Sequence, residues 1–252
     1  PQASRNLPVE GQIQAADIRQ VRETAERMAS HFEKKAAYAT PLHFVIDDKD
    51  VVADPLGVFG RKLDVEMYLL LARSDYCAMW NKVIKRSHVA RGIPVLSALS
   101  TARGILPKAD RSKKRLIADL GKDLVNLFLF EKGKIQDYSV HLSSQLGHVK
   151  DRTHRLILDW VAREPGIEEI LLTGDEMPDE RFSGRLAAET GAPVRIAAPS
   201  GLAKLEHPSY ASVAGLIQIA DEIASAAPMS VRDKDFLTGV REKAVSFFGD
   251  YF

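Results

Sequence analysis

The segment from Arg115 to Leu142 most constrains what this chain can fold into. Arg115–Leu120 and Asn126–Glu131 are apolar runs of strand length. Lys132-Gly133 then turns the chain into a third run, Lys134–Leu142. Such a meander needs a sheet with covered faces, and the flanking sequence supplies helices to cover it. On the downstream side, His148–Arg163 has helical periodicity with Val149, Leu156, Ile157 and Trp160 turned inward. Ile167–Thr173 reads as a buried strand and Asp179–Thr190 as a helix stopped by Gly191. Val194–Ala197 is a further strand, and Tyr210–Ala224 a helix rich in small residues. This alternation predicts an α/β fold with a mixed sheet.

The upstream part has the same grammar. Pro1–Gln14 is polar and predicts irregular chain or a short strand. Asp17 starts a helix carrying Ile18, Val21, Ala25, Met28, Ala29 and Phe32 on one face, with Lys34 and Lys35 in its last turns. Leu42–Ile46 predicts a strand, Asp54-Pro55-Leu56-Gly57 a turn, and Leu63–Ala72 a long alternating strand. Ser74 or Asp75 caps a helix containing Met79, Val83 and Ile84. Ile93–Leu96 reads as a short buried strand, Leu99–Leu106 as a helix, and Ala109–Lys114 as a charged surface loop.

Composition narrows the function. Basic and acidic residues number 35 and 34, so net charge gives no reason to expect nucleic-acid binding. The single cysteine, Cys77, excludes an internal disulfide framework and fits a reducing compartment. No apolar run reaches the ~20 residues of a membrane span, and no signal peptide is visible. The seven histidines show no metal-ligand spacing. The chain starts at Pro1 rather than methionine, so residues upstream are expected to be missing.

The end of the chain is amphipathic. On a helix, Phe236, Val240, Ala244, Phe247 and Tyr251 share a face, flanked by Phe248 and Phe252. Arg232, Lys234, Arg241 and Lys243 add positive charge. Such an element either lies in a membrane interface or folds back on its own domain. The membrane reading makes Arg241, Lys243, Phe247, Phe248, Tyr251 and Phe252 the lipid contacts, each chain binding weakly and many copies binding well.

In order along the chain, these residues resemble the FtsA cell-division proteins of the actin superfamily. His43-Phe44-Val45-Ile46-Asp47, Ala53–Gly60 and Leu63–Tyr68 resemble the family's 1C subdomain, and the string D-P-L-G-x-x-G-x-x-L is the most specific piece. Trp80–Ile84 and Gly92-Ile93 are similar to the helix and strand that follow. Ile117–Gly121 resembles the second phosphate loop and Leu171–Gly174 the adenosine strand. Pro193–Ile196, Pro199 and Pro208–Leu216 resemble the closing subdomain, and the aromatic tail the family's membrane-targeting helix.

The resemblance implies an actin-like (ribonuclease H-like) core plus a 1C subdomain. Its divisions fall at 1–72 (1C-like), 73–114 (remnant of 1A), 115–224 (2A-like core), 225–233 (linker) and 234–252 (membrane helix). The nucleotide positions it implies are Asp119, Leu120, Gly121, Lys122, Asp123, Thr173, Gly174 and Asp175.

The departures are chemical. The family's hairpin Asp-Ile-Gly-Gly-Gly-Thr-Thr-Asp admits phosphate because its glycines expose backbone amides. Here the run is Asp119-Leu120-Gly121-Lys122-Asp123-Leu124-Val125-Asn126. The adenosine loop, usually Thr-Gly-Gly-Gly-Ala, is Thr173-Gly174-Asp175-Glu176-Met177. The motif Gly-x-x-Thr-x-Asp is reduced to Gly147–Asp151 without its threonine. The first phosphate hairpin and subdomain 2B, which holds the FtsZ tail in the family, have no counterpart, and the helices framing 2B merge into one.

These features predict a membrane-associated division adaptor that does not hydrolyse ATP and needs no cofactor. It would sit in the cytoplasm at the inner membrane, self-associate, and meet division proteins such as FtsZ or full-length FtsA. The alternatives are an ATP- and Mg-binding polymerising actin-like protein, a PilM-like pilus platform protein, and a soluble module whose tail packs on its own core.

Overall fold

The computed structural model describes residues 2–31, 33–87, 95–142, 149–176, 179–199 and 205–226. The chain divides into two compact units, Pro1–Leu96 and Ser97–Phe252.

The first unit is an antiparallel sheet with a helix on one face. Its elements are β1 (Gln2–Gln12), α1 (Ala15–Ala29), β2 (Lys34–Ile46), β3 (Asp50–Val52), β4 (Phe59–Arg73) and α2 (Ser74–Arg86), with strand order β1-β4-β2-β3. Alternation along β4 turns Leu63, Val65 and Met67 to one face, where they meet Phe44 and Ile46 of β2 and Val21 and Ala25 of α1. Asp17 stands in the first turn of α1, two residues inside the helix, and its carboxylate accepts the Gln14 amide at 2.9 Å.

β1 is an eleven-residue strand, longer than its polar sequence suggests. Its side chains need only one apolar face, and its register on β4 places Ala3 opposite Val65 and Arg5 opposite Leu63.

The turns of this unit explain its most specific motif. Asp47 and Asp48 hold positive φ, and the Asp47 carboxylate accepts the amides of Arg61 and Lys62, both at 2.8 Å. Those two bonds, the Arg61 one foremost, hold its pKa below the usual carboxylate range. In the D-P-L-G turn, Asp54 accepts the Leu56 amide at 3.0 Å, and Gly57 takes φ 79° while donating its amide to Ile13. A side chain at Gly60 would come within 2.5 Å of Ile46 Cγ2. The D-P-L-G-x-x-G string is thus a clasp joining β4 to the β1–α1 corner.

The second unit is a five-stranded mixed sheet between helices. Its elements are α3 (Ser97–Ile105), β5 (Arg115–Leu120), β6 (Leu124–Glu131), β7 (Lys134–Leu142), α4 (Val149–Arg163), β8 (Glu169–Gly174), α5 (Glu180–Thr190), β9 (Val194–Ile196) and α6 (Ala211–Ala226). Strand order is β7-β6-β5-β8-β9. β5 pairs antiparallel with β6 and parallel with β8. On one face Leu116, Ala118, Leu127 and Leu172 pack with Ile157 and Trp160 of α4 and with Phe182 and Leu186 of α5. Asp179 caps α5 by accepting the Phe182 amide at 2.9 Å, and Gly191 ends the helix in the left-handed region.

α3 and α6 touch backbone to backbone. A side chain at Gly104 would collide with the Ala211 carbonyl, and one at Gly215 with the Ser100 carbonyl. Ser100 and Ser212 hydroxyls bond at 2.8 Å across the seam.

Four local expectations are corrected. Val95 and Leu96 are not in a strand, while Ile93 and Pro94 lie outside the described residues. The Ala109–Lys114 segment is not simply a surface loop. It opens with a 3-10 turn, and Arg111 is 7% exposed, because its guanidinium donates to the Leu106 and Arg103 carbonyls ending α3 and to Gln218 of α6. Met28 of α1, expected inside, is exposed. Lys34 and Lys35, expected in the last turns of α1, instead open β2, paired with Arg73 and Ala72 of β4.

Candidate functional site

The candidate nucleotide residues converge at the carboxyl ends of β5 and β8, where an open α/β sheet places its ligands. Register aligns Asp119 with Thr173 and Leu120 with Gly174. The expected two loops are therefore neighbours. Their contacts, however, are to each other.

Gly174 has φ 109°, and an added Cβ would lie 2.5 Å from the Leu120 carbonyl oxygen, 2.7 Å from its nitrogen and 2.8 Å from Asp119 Oδ1. The glycine is required for close approach between the strands. The Glu176 amide donates to the Leu120 carbonyl at 2.8 Å, and the Gly121 amide to the Leu124 carbonyl at 2.9 Å. Thr173 is fully buried, and its hydroxyl donates to the Pro208 carbonyl at 3.0 Å. Leu120 is a core side chain beneath α4 and α5. Lys122 and Asp123 project into solvent at the hairpin tip, and Asp175 is exposed beside it.

Phosphate binding at such a turn requires open amides and a positive local field. Two of the amides here are spent on backbone carbonyls. Asp119, Asp123, Asp175 and Glu176 face a single lysine, Lys122, in the two loops. The residues present do not fit a phosphate cradle of the actin type.

Asp119 is the unusual group. Burial pushes its carboxyl above the ordinary range, against hydrogen bonds from Thr101 and Asn126, and nearby Asp175 pushes the same way. Thr101 Oγ1 donates to it at 3.3 Å. Asn126 in turn accepts from the Tyr138 hydroxyl at 3.0 Å. Burial foremost raises the Tyr138 hydroxyl as well, although a bond to Ser97 opposes this. Thr101, Asn126 and Tyr138 form a polar chain that sequence reading did not single out. The only available signal was the Asn126 side chain in the slot where the resembled hairpin carries its last acid.

A carboxylate with a raised folded pKa gives stability that is present in full below its unfolded pKa and is lost as pH rises through the folded value. At neutral pH, Asp119 therefore opposes folding. Asp119→Asn is expected to raise the melting temperature by a few degrees at pH 7 and to change it little in acid, as read by thermal unfolding across pH.

Among the described residues, no group of three or more His, Cys, Asp or Glu side chains is placed to hold a metal ion. Nor is any helix among them long and apolar enough to cross a membrane. Arg241, Lys243, Phe247, Phe248, Tyr251 and Phe252 lie outside the described residues.

Residues 2–71, the clasped sheet of the first unit, match the SHS2 domain inserted in FTSA. Over about half of its length the chain is similar to FtsA proteins. It is 21% identical to the cell division protein FtsA of Pseudomonas aeruginosa over 129 residues, 51% of this chain and 31% of that protein. Against FtsA of Bacillus subtilis the figures are 23% over 124 residues, 49% of this chain and 28% of that one. The aligned part thus spans under a third of the length of these relatives.

Among solved structures, a PilM-PilN type IV pilus biogenesis complex shares the fold with a TM-score of 0.53 and 13% identity, covering 85% of this chain and 75% of that one. This likeness is one of fold.

Proposed function

We propose that this chain is a membrane-associated adaptor of bacterial cell division that works by association rather than by ATP hydrolysis. The observation that carries this reading is the closed pair of loops, in which the Glu176 amide bonds Leu120 and Gly174 packs on the β5 backbone. A switch that has lost its phosphate cradle retains its surfaces. The SHS2 sheet and the core are the surfaces for neighbouring subunits and for division proteins, FtsZ or full-length FtsA among them. In this reading the aromatic tail supplies the membrane contact, and the protein works in the cytoplasm at the inner membrane.

Four aromatic side chains half-buried in lipid contribute roughly 4–6 kcal/mol before the cost of ordering the helix. One copy therefore binds reversibly, and an assembled row of copies binds firmly. Liposome co-sedimentation tests this directly. The full chain pellets with vesicles, and a chain ending at Asp233 pellets far less; equal pelleting would remove the tether.

A second reading is supported by Asp119. A half-buried carboxylate whose ionisation opposes folding is a candidate for function, and in an actin-like core that work is at a nucleotide's cation. This reading requires Mg-ATP to raise the melting temperature of the wild-type chain and not of Asp119→Asn.

A further inference from the structure

α2 is a thirteen-residue helix with no buried residue. It rests on β2 and β4 of its own unit, and its Ser74, Cys77 and Ile84 are partly covered. The adjoining stripe is apolar and open. Tyr76 is 54% exposed, Met79 and Trp80 49% each, and Val83 47%. Tyr76 and Trp80 pack edge to face with ring centroids 6.2 Å apart, so the stripe is presented as one ordered patch. A helix that size normally buries such a stripe, and a patch of this kind marks an interaction surface.

The charges beside the stripe define what it meets. Lys82, Lys85 and Arg86 are exposed along its C-terminal turns. Asp75, the one acid of the helix, is engaged by Arg73. Helical spacing places Arg86 and Lys82 next to Met79 and Val83, so the apolar stripe has a basic margin. The stripe itself is small: its four half-exposed side chains offer on the order of 400 Å², against roughly 800 Å² per partner in a stable protein interface. Aromatic and aliphatic side chains with a basic border are what a helix lying in an anionic bilayer interface requires.

We propose that α2 is a second membrane-contact element, which lays Tyr76, Met79, Trp80 and Val83 into the interface of an anionic bilayer while Lys82, Lys85 and Arg86 meet its headgroups. This deepens the membrane reading above and stands on a different part of the chain from the tail. It gives the SHS2 unit its own contact with the surface. The contact is weak alone and becomes effective once the tail has concentrated the protein at the membrane.

The chain carries its own reporter. Its two tryptophans are Trp80, half-exposed, and Trp160, 3% exposed in the core of the second unit, and the tail has none. The full chain is titrated with phosphatidylcholine vesicles, with and without phosphatidylglycerol, including brominated acyl chains as quenchers. The expected result is a blue shift and bromolipid quenching with the anionic vesicles, both abolished by Trp80→Phe. Trp80→Glu is expected to weaken anionic-vesicle binding about tenfold. Lys82→Glu with Lys85→Glu, exposed changes that leave the fold intact, are expected to do the same and to flatten the salt dependence.

Protein that pellets with vesicles while Trp80 stays unquenched overturns the proposal and leaves the tail reading standing. Quenching that persists in Phe247→Glu/Phe248→Glu protein at high lipid supports α2 even where the tail has failed. A Trp80 blue shift that grows with protein concentration in the absence of lipid overturns it in favour of a second copy on this face.

Discussion

Gly215→Ala is expected to cost the Ser97–Phe252 unit about 3 kcal/mol, enough to threaten a domain of ordinary stability. The added methyl group would fall inside the Ser100 carbonyl and 2.8 Å from the Gly104 nitrogen. Both are backbone atoms of α3, so no rotamer change relieves the clash; the helices must separate. Separation breaks the Ser100–Ser212 bond and pulls Gln218 and Glu222 away from Arg111, whose guanidinium also serves the carbonyls ending α3. Gly104→Ala meets the Ala211 carbonyl and the Gly215 nitrogen and is expected to cost a similar amount.

Gly184 in α5 is the matched control, since nothing lies within 4 Å of its added Cβ. Alanine there is expected to stabilise the helix by about 0.5–1 kcal/mol. Denaturant unfolding followed through Trp160 in a Trp80→Phe background reads all three. A Gly215→Ala midpoint equal to that of Gly184→Ala would mean that the two helices do not meet as described.

The other large effect is functional. Phe247→Glu with Phe248→Glu is expected to reduce vesicle binding of the full chain to a small residue and to leave the unfolding of both units unchanged. Two glutamates exchange favourable burial of aromatic surface for the cost of bringing charge towards hydrocarbon. Co-sedimentation gives the bound fraction, and circular dichroism shows whether the body is intact. Undiminished binding would mean that the aromatic stripe does not face lipid.

Much of this architecture was legible because period and punctuation agreed. The alternation Leu63, Val65, Met67 located β4 and its buried face, and Lys132-Gly133 located the β6–β7 turn. Asp179 and Gly191 bracketed α5. What escaped was decided at a distance. Polar β1 is a strand because β4 offers it an edge. Arg111 is buried because α3 ends beside it with carbonyls to satisfy. Neither fact has a local signature.

The candidate site divides along the same line. That Asp119 and Gly174 would lie side by side followed from the resemblance, and register places them there. That Thr173 would spend its hydroxyl on Pro208, or that Tyr138 and Asn126 would back Asp119, depends on contacts across dozens of residues or between strands. The exposure of the α2 stripe was not legible for a related reason. Periodicity shows that a helix has an apolar face, and it does not show what covers that face.

Isothermal titration of Mg-ATP into the full chain at neutral pH tests most directly whether this core acts without nucleotide. With the Glu176 and Gly121 amides committed to carbonyls and four acids around the loops, the expected result is no saturable heat at sub-millimolar ligand. Saturable one-to-one binding in that range, lost in Asp119→Asn, would contradict it.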